Sequence, residues 1–259
     1  MLVDAARLAV GTLTAVPVRP PVVVDRRRAR AAMVLAPVAV LPLGLVAFAV
    51  GAAGHWLDLS PLVTALLAVG GVILGNRALH LDGLSDTVDG LAASYDPARS
   101  LTVMKSGTSG PAGVVAVVLV VGLQVAALAV VLSLPGWWQA ATLAGTAVCA
   151  SRAALVVCCM QGVHAARPDG LGRTYADTVP RSVVVALWLV TAAVLAGAGT
   201  WAGVPWWRGA LAALVAVVVV SGLVARTTRR FGGVTGDVFG AATELALAAV
   251  LVVLAMGTG

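Results

Sequence analysis

Three aspartates between residues 76 and 90 are the side chains of this sequence best suited to chemistry. Asp82, Asp86 and Asp89 follow one another at spacings of four and three residues. On an α-helix with 3.6 residues per turn, this spacing places the carboxylates within about 60° of one another. Like charges on one helix face repel unless a cation neutralises them, and carboxylate oxygens suit Mg²⁺ that holds a phosphate-bearing substrate. The spacing predicts a metal-binding helix face, with a solvated acidic surface helix as the alternative.

A second acidic pair lies near the C-terminus. Asp237 and Glu244 are seven residues apart and therefore share a helix face. Glu244 lies about two turns inside an apolar stretch, where an unpaired carboxylate is costly and marks a functional candidate. We expect the two acidic faces to converge on one or two metal ions. The predicted catalytic and metal-binding residues are Asp82, Asp86, Asp89, Asp237 and Glu244.

Polar residues near these carboxylates are candidates for substrate binding. The loop at 104–113, MKSGTSGPAG, contains three glycines around Lys105, and its backbone N–H groups predict a phosphate cradle, with an ordinary polar loop as the alternative. His80 is placed to bind a phosphate or to act as a polar cap. The predicted substrate-binding residues are His80, Arg77, Lys105, Ser106, Gly110, Arg152, Thr235 and Gly236.

The elements that must position these residues are membrane helices. Apolar residues make up 60% of the chain and charged residues 11%, with a mean hydropathy of +1.01, which lies outside the soluble range. The spans are rich in Val, Ala and Leu and have few internal turns, which favours a helical bundle over a β-barrel. The sequence predicts one polytopic domain over 1–259 with about seven spans, at 31–53, 61–79, 112–134, 139–161, 183–203, 209–225 and 238–257.

The basic residues predict the orientation of this bundle. Of 17 Lys and Arg residues, all but Arg208 fall on one side of a seven-span arrangement. Because basic loops stay in the cytoplasm, we expect a bacterial cytoplasmic-membrane protein with a cytoplasmic N-terminus and its active-site loops on that side. The acidic helix would then start at the inner membrane surface. The basic pI of 10.2 needs no nucleic-acid partner, and the three cysteines have no spacing typical of zinc or of disulfides.

Two sequence blocks resemble those of the cobalamin synthase family, the adenosylcobinamide-GDP ribazoletransferases. The block HLDG-x-x-D-T-x-DG is met at 80–90, and the block GG-x-TGD-x-x-GA-x-x-EL is met at 232–245. Lesser matches occur at Thr14 to Pro17, at Pro37 and at Ser151-Arg152, so the resemblance follows nearly the whole chain. One position departs from the family pattern, because Ser106 stands where the family usually has an aspartate.

The resemblance implies a phosphotransferase. The phosphate of adenosylcobinamide-GDP would pass to α-ribazole or its 5′-phosphate, GMP would leave, and Mg²⁺ would neutralise the pyrophosphate. It implies that Asp82, Asp86 and Asp89 hold the metal with help from Asp237 and Glu244. The expected partners are these two substrates and membrane lipid. The sequence leaves open whether the chain forms a homo-oligomer.

Three other functions share parts of the pattern. A CDP-alcohol phosphotransferase shares the fragment D-x-x-DG-x-x-A, but its next arginine is Ser94 here. A prenyltransferase would use Asp82 and Asp86 as one Asp-x-x-x-Asp pair and would need a second pair. An ion transporter would line a path with carboxylates, but we expect these carboxylates at one membrane face and not at mid-depth.

Overall fold

The computed structural model describes residues 1–257, and within them the regular structure is helical apart from two isolated β-bridges. The all-α prediction is therefore confirmed. The helices are α1 (Leu2–Leu13), α2 (Arg26–Val34), α3 (Ala36–Ala39), α4 (Leu41–Trp56), α5 (Pro61–Gly75), α6 (Leu79–Ala93), α7 (Pro97–Val103), α8 (Pro111–Leu132), α9 (Trp137–Ser151), α10 (Ala154–Cys158), α11 (Gly170–Tyr175), α12 (Arg181–Trp201), α13 (Trp206–Phe231) and α14 (Gly236–Leu254).

Apolar helices of spanning length make the chain a multi-pass membrane protein. Among the described residues, five units are long and apolar enough to cross a membrane alone: α8, Trp137–Cys158, α12, α13 and α14. The bent pair of α5 and α6 qualifies together as a sixth, and α4 is a shorter apolar helix of 16 residues. These units fall on the seven predicted stretches, with α2 and α3 preceding α4 in the first.

Small residues let the helices approach closely. Gly44 on α4 faces Gly145 on α9, and a Cβ atom at Gly145 would lie 2.6 Å from the Gly44 carbonyl oxygen. Such contacts are typical of membrane bundles, where packing replaces the hydrophobic drive that water supplies to soluble proteins.

The chain bends sharply between α5 and α6. The two helices meet at 88°, and Arg77 and Ala78 between them have φ angles of +59° and +56°, which are uncommon for residues with a Cβ atom. α6 starts against the second turn of α14, where Gly240 meets the backbone of His80. α6 therefore begins level with that turn of α14, and its start at the inner membrane surface stays a prediction.

The bundle has two unlike ends. At one end, which we call the aromatic end, Trp137 stacks on His55 with ring centroids 5.1 Å apart and meets Trp56 and Trp138 edge-on. At the other, which we call the charged end, α6 and α13 finish and α8 and α14 begin. Arg230 at the end of α13 donates to the carbonyls of Leu91 and Ser94, so it caps α6 where a helix end attracts positive charge.

Candidate active site

α6 and α14 cross at the charged end and bring the two acidic segments together. A Cβ atom at Gly83 would lie 2.6 Å from the carbonyl oxygen of Asp237, so only glycine permits this approach. Asp82 and Asp86 lie close enough to Asp237 for their charges to interact. In residues 1–257, the carboxylates of Asp82 and Asp86 have no hydrogen bond and no ion pair. We call Asp82, Asp86 and Asp237 the acidic cluster.

The turn between α13 and α14 positions Asp237. Gly232 has a φ of +81° and ends α13, which suits a residue without a Cβ atom. Val234 then bonds the backbone of His164 and Ala166. This pairing places Arg167 beside Asp237, with 3.7 Å between the guanidinium and Oδ2. The turn at the start of the second sequence block therefore pairs with the backbone at 164–166 and holds the guanidinium of Arg167 beside the acidic cluster.

Two residues predicted to bind substrate also belong to this turn. Thr235 is the N-cap of α14, and its hydroxyl accepts from the N–H of Val238 and donates to Asp237 Oδ2 at 3.1 Å. Gly236 begins the helix and packs against Leu171. Both line the cavity described below, as a substrate-binding role requires.

Asp89 does not stand free beside the acidic cluster. Its oxygens accept from the N–H groups of Gly110 and Gly113 at 2.6 and 2.8 Å, so it caps the start of α8. The predicted phosphate cradle is therefore wrong at these two amides, because a carboxylate of the protein already occupies them. In the structure, the hydrogen bond between Asp89 and Gly110 connects α6 to the start of α8.

Glu244 is buried in a separate polar network. Its Oε2 accepts from Gln124 at 2.8 Å, and its Oε1 lies 3.6 Å from Nδ1 of His80. The same His80 nitrogen lies 3.2 Å from Asn76 and 3.4 Å from the fully buried Arg152. The expectation that Glu244 reaches the metal site with Asp237 is not met, because its oxygens face protein groups about two helical turns deeper. We call these five residues the buried network.

A cavity of about 300 Å³ opens beside the acidic cluster. Its charged lining comes from Asp82, Asp237, Arg167, Lys105 and Asp169. Lys105 and Asp169 form an exposed ion pair at 3.2 Å. Asp169 thus brings a carboxylate to the loop that lacks one at Ser106. The remaining lining is mainly hydrophobic and comes from Thr12, Leu13, Met33, Leu79, His80, Leu155, Gly170, Leu171, Tyr175, Thr235, Gly236, Phe239 and Gly240.

Four predicted substrate-binding residues do not line this cavity: Gly110, described above, and Arg77, Ser106 and Arg152. Arg77 is exposed at the bend and contacts the Gly11 carbonyl at 3.5 Å. Ser106 is exposed and bonds Thr108. Arg152 lies deeper, where it donates to Ser151 and faces His80.

Two residues of functional interest were missed as individual site residues. Arg167 was one of several loop arginines, and sequence alone does not single it out. Gln124 carries a clearer signal, because it is the one polar side chain in the apolar stretch 114–132, where a polar group marks a specific contact.

The acidic cluster suits Mg²⁺ by its chemistry. No group of three His, Cys, Asp or Glu side chains in the described residues is already arranged to hold a metal. Mg²⁺ is commonly held by only one or two carboxylates together with water and substrate phosphates. Asp82 and Asp86 offer oxygens without protein donors, and Asp82 and Asp237 face the cavity. Asp89 and Glu244 do not fit this role, because both carboxylate oxygens of each already face protein groups.

Comparison with known proteins agrees with this geometry. Residues 5–255 match the family model described as cobalamin-5-phosphate synthase. The chain belongs to this family. A relative from Nocardioides sp., named adenosylcobinamide-GDP ribazoletransferase, is 58% identical over 248 residues, which cover 96% of each chain. Relatives of the same name from Frankia casuarinae and Stutzerimonas stutzeri are 39% and 37% identical over 97% of this chain and 94% and 98% of theirs. No solved structure matches.

Proposed function

We propose that this chain is an adenosylcobinamide-GDP ribazoletransferase. The enzyme transfers the adenosylcobinamide phosphate group to α-ribazole, or to its 5′-phosphate, and releases GMP. The observation that carries the proposal is the acidic cluster beside Arg167 at a cavity, in a chain that belongs to the cobalamin-5-phosphate synthase family. Relatives that match over nearly their whole length have this name, which is not the name of a transporter or of a prenyltransferase.

The charged residues of the cavity divide the work of phosphoryl transfer. Asp82, Asp86 and Asp237 would hold Mg²⁺, which neutralises the pyrophosphate and the charge that develops on the leaving group. Arg167 and Lys105 bind phosphate oxygens and orient the donor. Arg167 is suited to this because Leu101 and Asp237 fix its guanidinium in place.

The reaction exchanges one bond to phosphorus for another. The acceptor hydroxyl oxygen forms a bond to the phosphorus that carries the cobinamide group, and the bond from that phosphorus to the oxygen of GMP breaks. The hydroxyl proton passes to a carboxylate oxygen of the acidic cluster. GMP leaves with the electron pair of the broken bond and moves out past the exposed pair of Lys105 and Asp169.

We propose that the chain lies in the bacterial cytoplasmic membrane with its charged end in the cytoplasm. The excess of basic residues at this end supports the orientation. Single cysteines in a variant lacking the three native ones should react with a membrane-impermeant reagent in intact cells at 57, 136 and 204. Cysteines at 96, 170 and 230 should react only after lysis, and the reverse pattern would overturn the orientation.

A direct assay tests the activity. Purified protein in liposomes is incubated with adenosylcobinamide-GDP, α-ribazole or its 5′-phosphate, and Mg²⁺. The expected result is equal release of GMP and of a cobamide product. A wild-type chain that binds both substrates without releasing GMP would overturn the proposal.

A further inference from the structure

One end of the cavity has a different character from the acidic cluster. Leu13, Met33 and Leu155 are almost fully buried there, together with the aromatic rings of Tyr175 and Phe239. The two rings meet edge-on with centroids 6.3 Å apart. We call these five residues the hydrophobic end. The hydrophobic end has no charged side chain, so it cannot bind the phosphate groups of the reaction.

Few polar atoms accompany these side chains. The hydroxyl of Tyr175 lies 3.5 Å from the hydroxyl of Thr12, and either can donate. Both hydroxyls can turn toward a ligand, because each can donate and accept. The hydrophobic end can therefore satisfy a flat apolar ligand that has one or two hydrogen-bond acceptors.

The substrates of the proposed reaction contain three kinds of planar base: guanine, the adenine of the adenosyl group, and a benzimidazole. Guanine has N–H donors and a carbonyl on its edges and adenine has an amino group, and burial of such groups without partners is costly. A benzimidazole that is joined to ribose through nitrogen has no N–H group and has a single acceptor nitrogen. Only the benzimidazole matches walls made of Leu, Met and aromatic side chains with two hydroxyls.

Size and charge agree with this choice. The cavity of about 300 Å³ is comparable to a nucleoside and far too small for a corrin ring with its nucleotide. The opposite part of the lining holds the exposed Lys105 and Asp169, where a charged donor and a leaving nucleotide can reach solvent. The phosphate then lies between the two substrates, as an in-line displacement requires.

We propose that the hydrophobic end binds the heteroaromatic base of the acceptor nucleoside, which rests on the proposed function. Phe239 and Tyr175 hold the base through their rings, and Thr12 or Tyr175 donates to its free ring nitrogen. The ribose then points its hydroxyl toward the acidic cluster. These residues select the acceptor and take no part in bond making.

Steady-state kinetics of aromatic variants test the proposal. Phe239→Leu and Tyr175→Leu should each raise the KM for the acceptor by about 10-fold or more, as loss of stacking on a base commonly does. The KM for adenosylcobinamide-GDP should stay within about twofold. Phe48→Leu is the matched control, because Phe48 packs on Trp138 and is not among the residues that line the cavity, and it should change neither constant.

Equilibrium binding without the donor gives a second measurement that does not depend on turnover. Wild-type protein should bind α-ribazole, and the free base 5,6-dimethylbenzimidazole should compete whereas guanosine should not. Tyr175→Phe keeps the ring and should bind α-ribazole within about threefold of wild type, which keeps the test available if a leucine variant fails to fold. Competition by guanosine, or an increase in the KM for the donor alone, would assign the hydrophobic end to guanine and overturn the proposal.

The two proposals can fail separately. Wild-type protein that binds α-ribazole competitively with the free base but never releases GMP would refute the proposed function and leave the base site standing. Normal GMP release with an unchanged acceptor KM in Phe239→Leu and Tyr175→Leu would refute the base site and leave the function standing.

Discussion

The acidic cluster and the buried network both draw side chains from α6 and α14, yet the protein treats their carboxylates in opposite ways. Asp82 lines the cavity, and neither Asp82 nor the adjacent Asp86 has a side-chain hydrogen bond or ion pair in the described residues. Glu244 lies among Gln124 and His80 and is only 2% exposed. Carboxylates that a protein leaves unsatisfied are available to a cation or a substrate, whereas a satisfied buried carboxylate holds helices together. The acidic cluster is therefore the candidate site for chemistry, and the buried network stabilises the helices that hold it.

The largest effect is expected at the acidic cluster. Asp82→Asn and Asp86→Asn each remove a negative charge without changing size, so turnover should fall by at least about 10²-fold. Membrane insertion and thermal stability should stay near wild type because these side chains make no structural bonds. The matched control is Asp58→Asn, an exposed change at the aromatic end. EDTA should stop the wild-type enzyme and Mg²⁺ should restore it; full activity in metal-free buffer would contradict this assignment.

The next effect concerns stability and separates Glu244 from the acidic cluster. Glu244→Gln removes a negative charge that acts on the fully buried Arg152, and a buried cation that loses a compensating charge destabilises the fold. Unfolding in detergent should therefore occur at a lower temperature, while the Mg²⁺ concentration for half-maximal activity should not change. Adding Arg152→Met should recover part of the loss. A variant with normal stability and an altered Mg²⁺ requirement would place Glu244 in the acidic cluster after all.

A smaller effect is expected at Asp89, which lies between the two extremes. Asp89→Asn puts an amide donor opposite one of the N–H groups of Gly110 and Gly113, so the start of α8 loses part of its cap. The free energy of unfolding should fall by about 1 kcal/mol, as for other N-cap changes, with the Mg²⁺ requirement unchanged. Asp96→Asn, at the exposed N-cap of the short helix α7, should cost less. A complete loss of activity in a stable Asp89→Asn protein would return this residue to the catalytic group.

The smallest effect extends the comparison to an exposed carboxylate. The N–H of Gly162 and the guanidinium of Arg26 lower the pKa of Asp177 below its ordinary value of 3.8. A lowered pKa means that the stabilisation is present above the ordinary value and is lost as the pH falls through the lower folded value. Wild type should therefore melt slightly above Asp177→Asn at pH 5, and the difference should be smaller at pH 3. Asparagine tolerates the positive φ of this position, so an equal difference at both pH values would contradict the electrostatic origin.

Sequence periodicity was sufficient to predict the helix α6 and to predict that Asp82 and Asp86 share one of its faces. It could not tell which carboxylate is free, because Gly110 and Gly113 lie more than 20 residues from Asp89, and Gln124 lies 120 residues from Glu244. Such partners follow from helix packing and not from local pattern. The bend was harder to place, because Gly75 and Asn76 stand just before it but the two residues with positive φ, Arg77 and Ala78, are neither glycine nor asparagine.

Two of the three residues of the acidic cluster lie on α6, a helix of only 15 residues, and this has a consequence for how the protein is inserted into the membrane. α6 is too short to cross the bilayer and carries three aspartates, so it cannot settle in lipid when it first leaves the insertion machinery. Its neighbours α8 and α14 are made later, and the crossing at Gly83 and Gly240 has no second surface until synthesis passes residue 240. A nascent chain that stops earlier therefore holds its three aspartates in water and has no catalytic centre, which confines phosphoryl transfer to chains whose insertion has been completed.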